Sequence, residues 1–152
     1  MSEEVTPSTS PSFQVRAQYI KDLSFENPHA PQSLIANEVR PNIDVGVDLR
    51  ATKLQDDIYE VVIQLTARAG ANNSSLFLVD LSYAGIFYLS NIAEERLESV
   101  LLVDCPFVLF PFARRVVSDV TRDGGFPPLM LDPIDFHELY LKNQGASDKK
   151  EA

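Results

Sequence analysis

The sequence contains no tryptophan, two histidines and a single cysteine, Cys105. One cysteine cannot form an internal disulfide, which is typical of proteins from a reducing compartment such as the cytoplasm. His29 and His137 are far apart and have no second His or Cys at ligand spacing, so we expect no metal site. There is no phosphate-binding glycine loop, since Gly124-Gly125 follows a predicted helix instead of preceding one. We therefore expect a protein that is not an enzyme and uses no cofactor.

Basic residues are also scarce: 13 Lys and Arg stand against 22 Asp and Glu, for a formal net charge of −9. This balance argues against partners that are rich in phosphate, namely nucleic acids and anionic membrane surfaces. No apolar run is long enough to span a bilayer, and the acidic start Ser2-Glu3-Glu4 is unlike a signal peptide. The charge fits a basic protein partner or simple solubility, and we expect a cytoplasmic protein.

The length of 152 residues, with 45% hydrophobic residues, suits one domain with a substantial core. Residues 1–12 are polar and rich in Pro and Ser, so we expect a disordered N-terminal tail. The folded domain is expected over residues 13–142, with a flexible C-terminal tail over residues 143–152.

Alternating apolar and polar residues predict four strands, at 13–26, 43–51, 59–67 and 76–83. In the first strand Ile20 is an exception to the alternation. Short turns make the second, third and fourth strands an antiparallel meander. Gly85 is expected to begin the segment that leaves the sheet.

Helical patterns follow the strands. Asn91 and Glu94 have the spacing of a capping box, which predicts a helix that starts near Ile92. Pro111 should kink or restart the next helix, and Gly124-Gly125 should end it. The predicted fold is α+β: a four-stranded antiparallel sheet packed on one side by a long broken helix and a short C-terminal helix.

Large apolar side chains also occur outside the strands, in the long connection at 27–41 and in the helical segments. They could close over the core as a lid, or they could form the walls of an apolar groove that accepts unfolded polypeptide. The candidate groove residues are Leu34, Val39, Phe107, Phe110, Phe126 and Phe136.

A second pattern combines acidic residues with one leucine. Asp22 and Glu26 share the polar face of the first strand, and Leu78 and Asp80 share the equivalent face of the fourth. If these strands are neighbours, three carboxylates flank a leucine on one surface. Such a surface could serve solubility or could dock a basic partner.

Five stretches resemble the SecB family of bacterial protein-export chaperones. In chain order they are residues 19–31 (YIKDLSFENPHAP), 57–62 (DIYEVV), 84–87 (AGIF), 105–114 (CPFVLFPFAR) and 125–129 (GFPPL). The resemblance extends from about Phe13 to Tyr140.

This resemblance implies a homotetramer, a dimer of dimers, that holds unfolded precursor proteins and delivers them to the SecA motor without ATP. It implies that Asp22, Glu26, Leu78 and Asp80 bind the basic, zinc-bearing tail of SecA, although the family usually has Glu in place of Asp80. It also associates Val79, Leu81 and Tyr83 with tetramer formation.

Two other functions remain open at this stage. One is a domain that binds a small apolar ligand in a cavity between the long connection and the helix. The other is a structural oligomer, or a SecB-like chaperone dedicated to a toxin–antitoxin partner.

Overall fold

The structure, a computed structural model, describes residues 10–35, 40–71 and 73–151. Its elements in chain order are β1 (Ser12–Glu26), α1 (Gln32–Ile35), β2 (Asn42–Gln55), β3 (Ile58–Ala71), β4 (Ser74–Ser90), α2 (Glu94–Ser99), a π-helical segment (Val100–Asp104), α3 (Cys105–Asp123) and α4 (Phe136–Glu151). Within the described ranges, no helix is both long and apolar enough to cross a membrane. The predicted α+β order of strands followed by helices is confirmed.

The four strands form one antiparallel sheet in the order β1-β4-β3-β2. The chain makes the predicted meander from β2 to β4, and β1 completes the sheet beside β4. The β2–β3 turn contains Asp57 with a φ of 63°, a left-handed conformation that Asp tolerates better than most residues. The odd-numbered residues of β3 and β4 face the helices on what we call the inner face, and their even-numbered residues form the outer face.

Two β-bulges in β1 change the face on which its residues lie. The pairing with β4 shifts between Val15 and Ala17 and again between Ile20 and Asp22. Each bulge adds one residue, so the alternation of side chains is reversed after the first bulge and restored after the second. Ala17 and Tyr19 consequently lie on the outer face, while Ile20, the exception in the sequence pattern, lies on the inner face.

Strand β4 continues to Ser90, so the prediction that the chain leaves the sheet at Gly85 is wrong. A Cβ atom at Gly85 would lie 2.8 Å from Leu109 Cδ2 and 2.8 Å from Phe87 Cε2. The glycine therefore marks a close approach of α3 to the sheet and not a strand end.

The helical region begins later than predicted. Helix α2 starts at Glu94 after an Ala93 N-cap that makes no side-chain capping hydrogen bond, and Asn91 instead adopts a φ of 57° in the preceding turn. The predicted capping box and the predicted helix start near Ile92 are therefore both wrong. The long helix is interrupted by the π-helical segment before Pro106. Helix α3 continues through Pro111, so the helix does not restart at that proline.

Helix α3 ends at the predicted glycines. Gly125 has a φ of 93°, its N–H donates to the Arg122 carbonyl over 3.0 Å, and the Phe126 N–H donates to the Thr121 carbonyl over 3.1 Å. This is a Schellman cap. Thr121 is fully buried, and its Oγ1 accepts a 2.9 Å hydrogen bond from the Leu129 N–H, which ties the following segment to α3.

The core lies between the inner face and α3, which buries Leu109, Ala113 and Val117 against the sheet. Phe136 at the start of α4 joins this core. Helix α4 extends to Glu151, past the predicted domain boundary at residue 142, and the flexibility of the tail stays a prediction.

Candidate functional site

The four residues predicted to dock a partner lie together on the outer face. Glu26 is paired with Leu78, while Asp22 and Asp80 are paired with serines of the neighbouring strand on the same face. Asp22 and Glu26 are exposed on the edge strand, and Leu78 and Asp80 are half-buried. Because β1 and β4 are neighbours, the three carboxylates and the leucine lie on one surface, as the alternation pattern predicted for that case.

A hydrogen bond orients Asp80. Gln64 of β3 donates from Nε2 to Asp80 Oδ1 over 3.3 Å. Alternation within β3 puts Gln64 on the polar face of the strand, but its partner depends on the register between β3 and β4, which the sequence does not reveal. The contact leaves Asp80 Oδ2 without a partner among the hydrogen bonds of the described residues, so this oxygen can meet another molecule.

A second polar cluster adjoins Asp22. Lys21 Nζ lies 2.8 Å from Glu60 Oε1, and the Tyr19 hydroxyl donates to the other oxygen of the same carboxylate. The hydrogen bonds from Lys21 and Tyr19 hold the pKa of Glu60 below its ordinary value. Burial, together with the neighbouring Glu60 carboxylate, raises the pKa of Tyr19 to about 12. The alternation pattern could not reveal this cluster, because a bulge places Tyr19 on the outer face.

The residues associated with tetramer formation are in the core of a single chain. Val79 and Leu81 are fully buried on the inner face, and Tyr83 is 8% exposed with its hydroxyl donating to Gln18 Oε1 over 3.1 Å. These three side chains therefore offer almost no surface to a second subunit in this conformation. Any effect that they have on assembly acts through the packing beneath the surface.

The predicted groove residues do not form one continuous surface. Phe110 and Phe136 are buried and contact each other edge to face, with ring centroids 5.9 Å apart, so they offer little surface to a bound polypeptide. Phe107, in contrast, is 70% exposed near the start of α3.

Two groove candidates lie at the other end of α3. Leu34 is close to Gly125, and the Phe126 ring lies 4.9 Å from the Phe77 ring. At 1.5 Å per residue, Phe107 is roughly 24 Å from the end of α3, so the two regions are separate. Val39 lies outside the described residues.

The exposed Phe107 borders an open, mainly apolar cleft of about 530 Å³. Val108 of α3 lines it too, and its other walls come from the beginning of β1, the turn after β4 and the π-helical segment, including Phe13, Ile92 and Val100. This volume is within the usual range for ligand pockets, and the openness of the cleft suits an extended chain segment.

The inner side of the β1 edge is incompletely covered. Phe13, Val15, Ile20 and Leu23 are each more than a third exposed there, and Phe112 of α3 is 48% exposed. The four β1 side chains share the inner face of one edge strand, and we call them the apolar strip; such a row is larger than the singly scattered exposed residues of an ordinary monomer surface.

Cys105 is buried at the start of α3. Burial and the neighbouring negative charge of Asp104 raise the pKa of its thiol to about 12. The side chain is therefore a thiol at neutral pH and is unsuited to nucleophilic chemistry.

Comparison with known families identifies one match that covers most of the chain. The family described as "Preprotein translocase subunit SecB" matches residues 6–147.

Individual relatives agree with this match. A protein-export protein SecB from Maricaulis maris is 51% identical over 131 residues, which cover 86% of this chain and 76% of that protein. Another, from Parvibaculum lavamentivorans, is 49% identical over 140 residues, which cover 91% of this chain and 83% of that protein.

A solved structure shares the fold. It is a Mycobacterium tuberculosis SecB-like chaperone in complex with a ChAD peptide from an antitoxin, with a TM-score of 0.68 and 20% identity over 80% of this chain and 90% of that one.

Proposed function

This chain belongs to the SecB family of protein-export chaperones, and from that premise we propose that it holds unfolded precursor proteins and delivers them to the SecA motor. The proposed mechanism uses binding alone, with no nucleotide and no bond chemistry. We place its action in the cytoplasm, before translocation begins.

The outer face supports the delivery step. Asp22, Glu26 and Asp80 present carboxylates around Leu78 on a rigid sheet. A basic tail that meets this surface gains charge complementarity at the rim and one apolar contact at its centre. In this chain Asp80 replaces the longer Glu that is usual in the family, and Gln64 fixes its shorter side chain in place.

The apolar surface around Phe107 supports the holding step. Each apolar segment of a client that is buried there gains roughly 25 cal/mol per Å² of surface removed from water. A single segment binds weakly, but several sites on one particle bind a long client by avidity. Folded proteins keep such segments buried, so selection for the unfolded state needs no further recognition element.

We further propose that the particle is a homotetramer arranged as a dimer of dimers. The apolar strip along β1 supports this, because a lone chain would leave the strip in water. Subunit contacts would cover part of the strip, and the clefts that remain open would serve clients.

The family match over residues 6–147 is the observation that carries the proposal. Its direct test is a refolding-arrest assay: the purified protein is added to a denatured, slow-folding precursor, and the recovery of the native precursor is followed while light scattering gives the oligomer mass. We expect arrest without ATP by a particle of four chains. Normal refolding of the precursor in the presence of excess protein would contradict the proposal, whereas binding of a small apolar dye alone would favour a small-ligand domain.

A further inference from the structure

A lysine lies inside the proposed docking surface, directly beside one of its carboxylates. Lys21 is the extra residue of the second β1 bulge, and Asp22 follows it. An uncompensated ammonium at this place would repel a basic partner and weaken the field of Asp22. The docking proposal therefore requires that the charge of Lys21 be neutralised.

Glu60 is in position to provide this neutralisation. Its Oε1 accepts the 2.8 Å contact from Lys21 Nζ, although β4 lies between β1 and β3. The β4 residue opposite Tyr19 is Ala84, and Glu60 lies one outer-face row away, opposite Ile86. The contact therefore runs diagonally across β4, past the small side chain of Ala84. The Tyr19 hydroxyl donates to the second Glu60 oxygen, which fixes the carboxylate in this direction.

The charges that line a depression beside Lys21 show what Glu60 contributes locally. A shallow depression of about 180 Å³ is lined by the cations Lys21 and Arg50 and by the acids Asp22 and Asp48. These four charges alone would cancel. With the Glu60 carboxylate, which is kept ionised by its hydrogen bonds, the region is net acidic.

We propose that Glu60 is a positioning residue of the partner-docking surface: it binds and neutralises Lys21, so that Asp22 presents its full negative charge to a basic segment. This inference rests on the proposed function, since it assumes that the outer face docks the basic tail of SecA. It adds a third strand, β3, to the residues that determine the affinity.

The test uses the full-length chain and purified SecA in isothermal titration calorimetry at low ionic strength. Glu60→Gln frees the ammonium and should weaken docking by about fivefold, whereas Lys21→Gln leaves an extra carboxylate and should strengthen it by a similar factor. The double variant Lys21→Gln/Glu60→Gln should return close to the wild-type affinity. All these differences should shrink when salt is raised.

If the Lys21–Glu60 contact only stabilised the fold, the variants would show a different pattern of SecA affinities. If Glu60→Gln and Lys21→Gln both weaken docking, or if neither changes it, the inference is wrong. Should Glu60→Gln fail to fold, the direction of the Lys21→Gln effect decides the question alone. Asp22→Asn tests the underlying docking surface: unchanged affinity there would overturn that surface and this inference together, whereas weakened docking with no response at Lys21 would overturn only the inference.

Discussion

Glu26 at the end of β1 is paired directly with Leu78 of β4, and both side chains lie on the outer face. This pairing places an edge-strand carboxylate next to the leucine at the centre of the proposed docking surface. Asp22 and Asp80 reach the same face by the same register. The two sides of the sheet thereby acquire different roles, since the inner face packs against α3 and the outer face carries the charges.

Gly85→Ala should destabilise the fold. The new Cβ would meet Leu109 and Phe87 at 2.8 Å, and both side chains are fully buried. Overpacking of this kind typically costs about 1–3 kcal/mol, which urea unfolding can measure. Gly46→Ala is the matched control, because there the close contact is with the Thr66 hydroxyl, which can rotate. If Gly85→Ala lowered the free energy of unfolding by no more than Gly46→Ala does, the close approach of α3 to the sheet would be contradicted.

Alanine substitution of two phenylalanines three residues apart on α3 should change stability by very different amounts. Phe110→Ala removes a buried ring and should lower the free energy of unfolding by about 3–5 kcal/mol. Phe107→Ala alters a ring that is 70% exposed and should change that energy by less than about 0.5 kcal/mol.

The same Phe107→Ala variant should bind unfolded clients less tightly in the refolding-arrest assay. Its oligomer mass must be measured by light scattering alongside. Wild-type client affinity with an unchanged mass would remove Phe107 from the client surface, whereas dissociation into smaller particles would assign it to a subunit contact.

Alkaline pH should weaken the folded state through Cys105. Because its pKa is raised to about 12 in the folded chain, the folded state retains this proton after the unfolded state has lost it. The corresponding stability is complete below the unfolded pKa of about 8.5 and is lost as pH rises toward the folded value.

The urea midpoint of the wild type should therefore fall as pH rises from about 7 to about 10, and the midpoint of Cys105→Ala should fall less steeply. Tyr19 also has a raised pKa and accounts for part of the decline that remains. If the urea midpoints of the wild type and Cys105→Ala depended on pH in the same way, Cys105 would not contribute to the alkaline loss of stability.

The period-two and period-3.6 patterns were sufficient to predict the strand number, the meander and the glycine end of α3. They failed at positions that depend on long-range contacts. The β1 bulges are visible only in the pairing with β4, and strict alternation across 13–26 would put Ala17 and Tyr19 on the apolar face with Phe13, whereas the structure puts them on the outer face. Gly85 resembles a strand end in sequence, but its role depends on Leu109 of α3.

For the functional site, strand parity was enough to group Asp22, Glu26, Leu78 and Asp80. Burial could not be predicted in the same way. Phe107 and Phe110 belong to one apolar segment, and only the packing of α4 shows that Phe110 contacts Phe136 while Phe107 faces outward. The Lys21–Glu60 pair required both the bulge and the strand order.

The most direct test of the account separates docking from holding. In calorimetry, charge reversal by Asp22→Lys/Asp80→Lys should weaken SecA binding by about tenfold or more, while refolding arrest of a client is retained. Asp56→Lys makes one such reversal at a fully exposed side chain in the β2–β3 turn; it is the control for charge reversal itself and should leave both activities unchanged. Unaltered SecA affinity in the double variant, with the protein folded, would contradict the central claim.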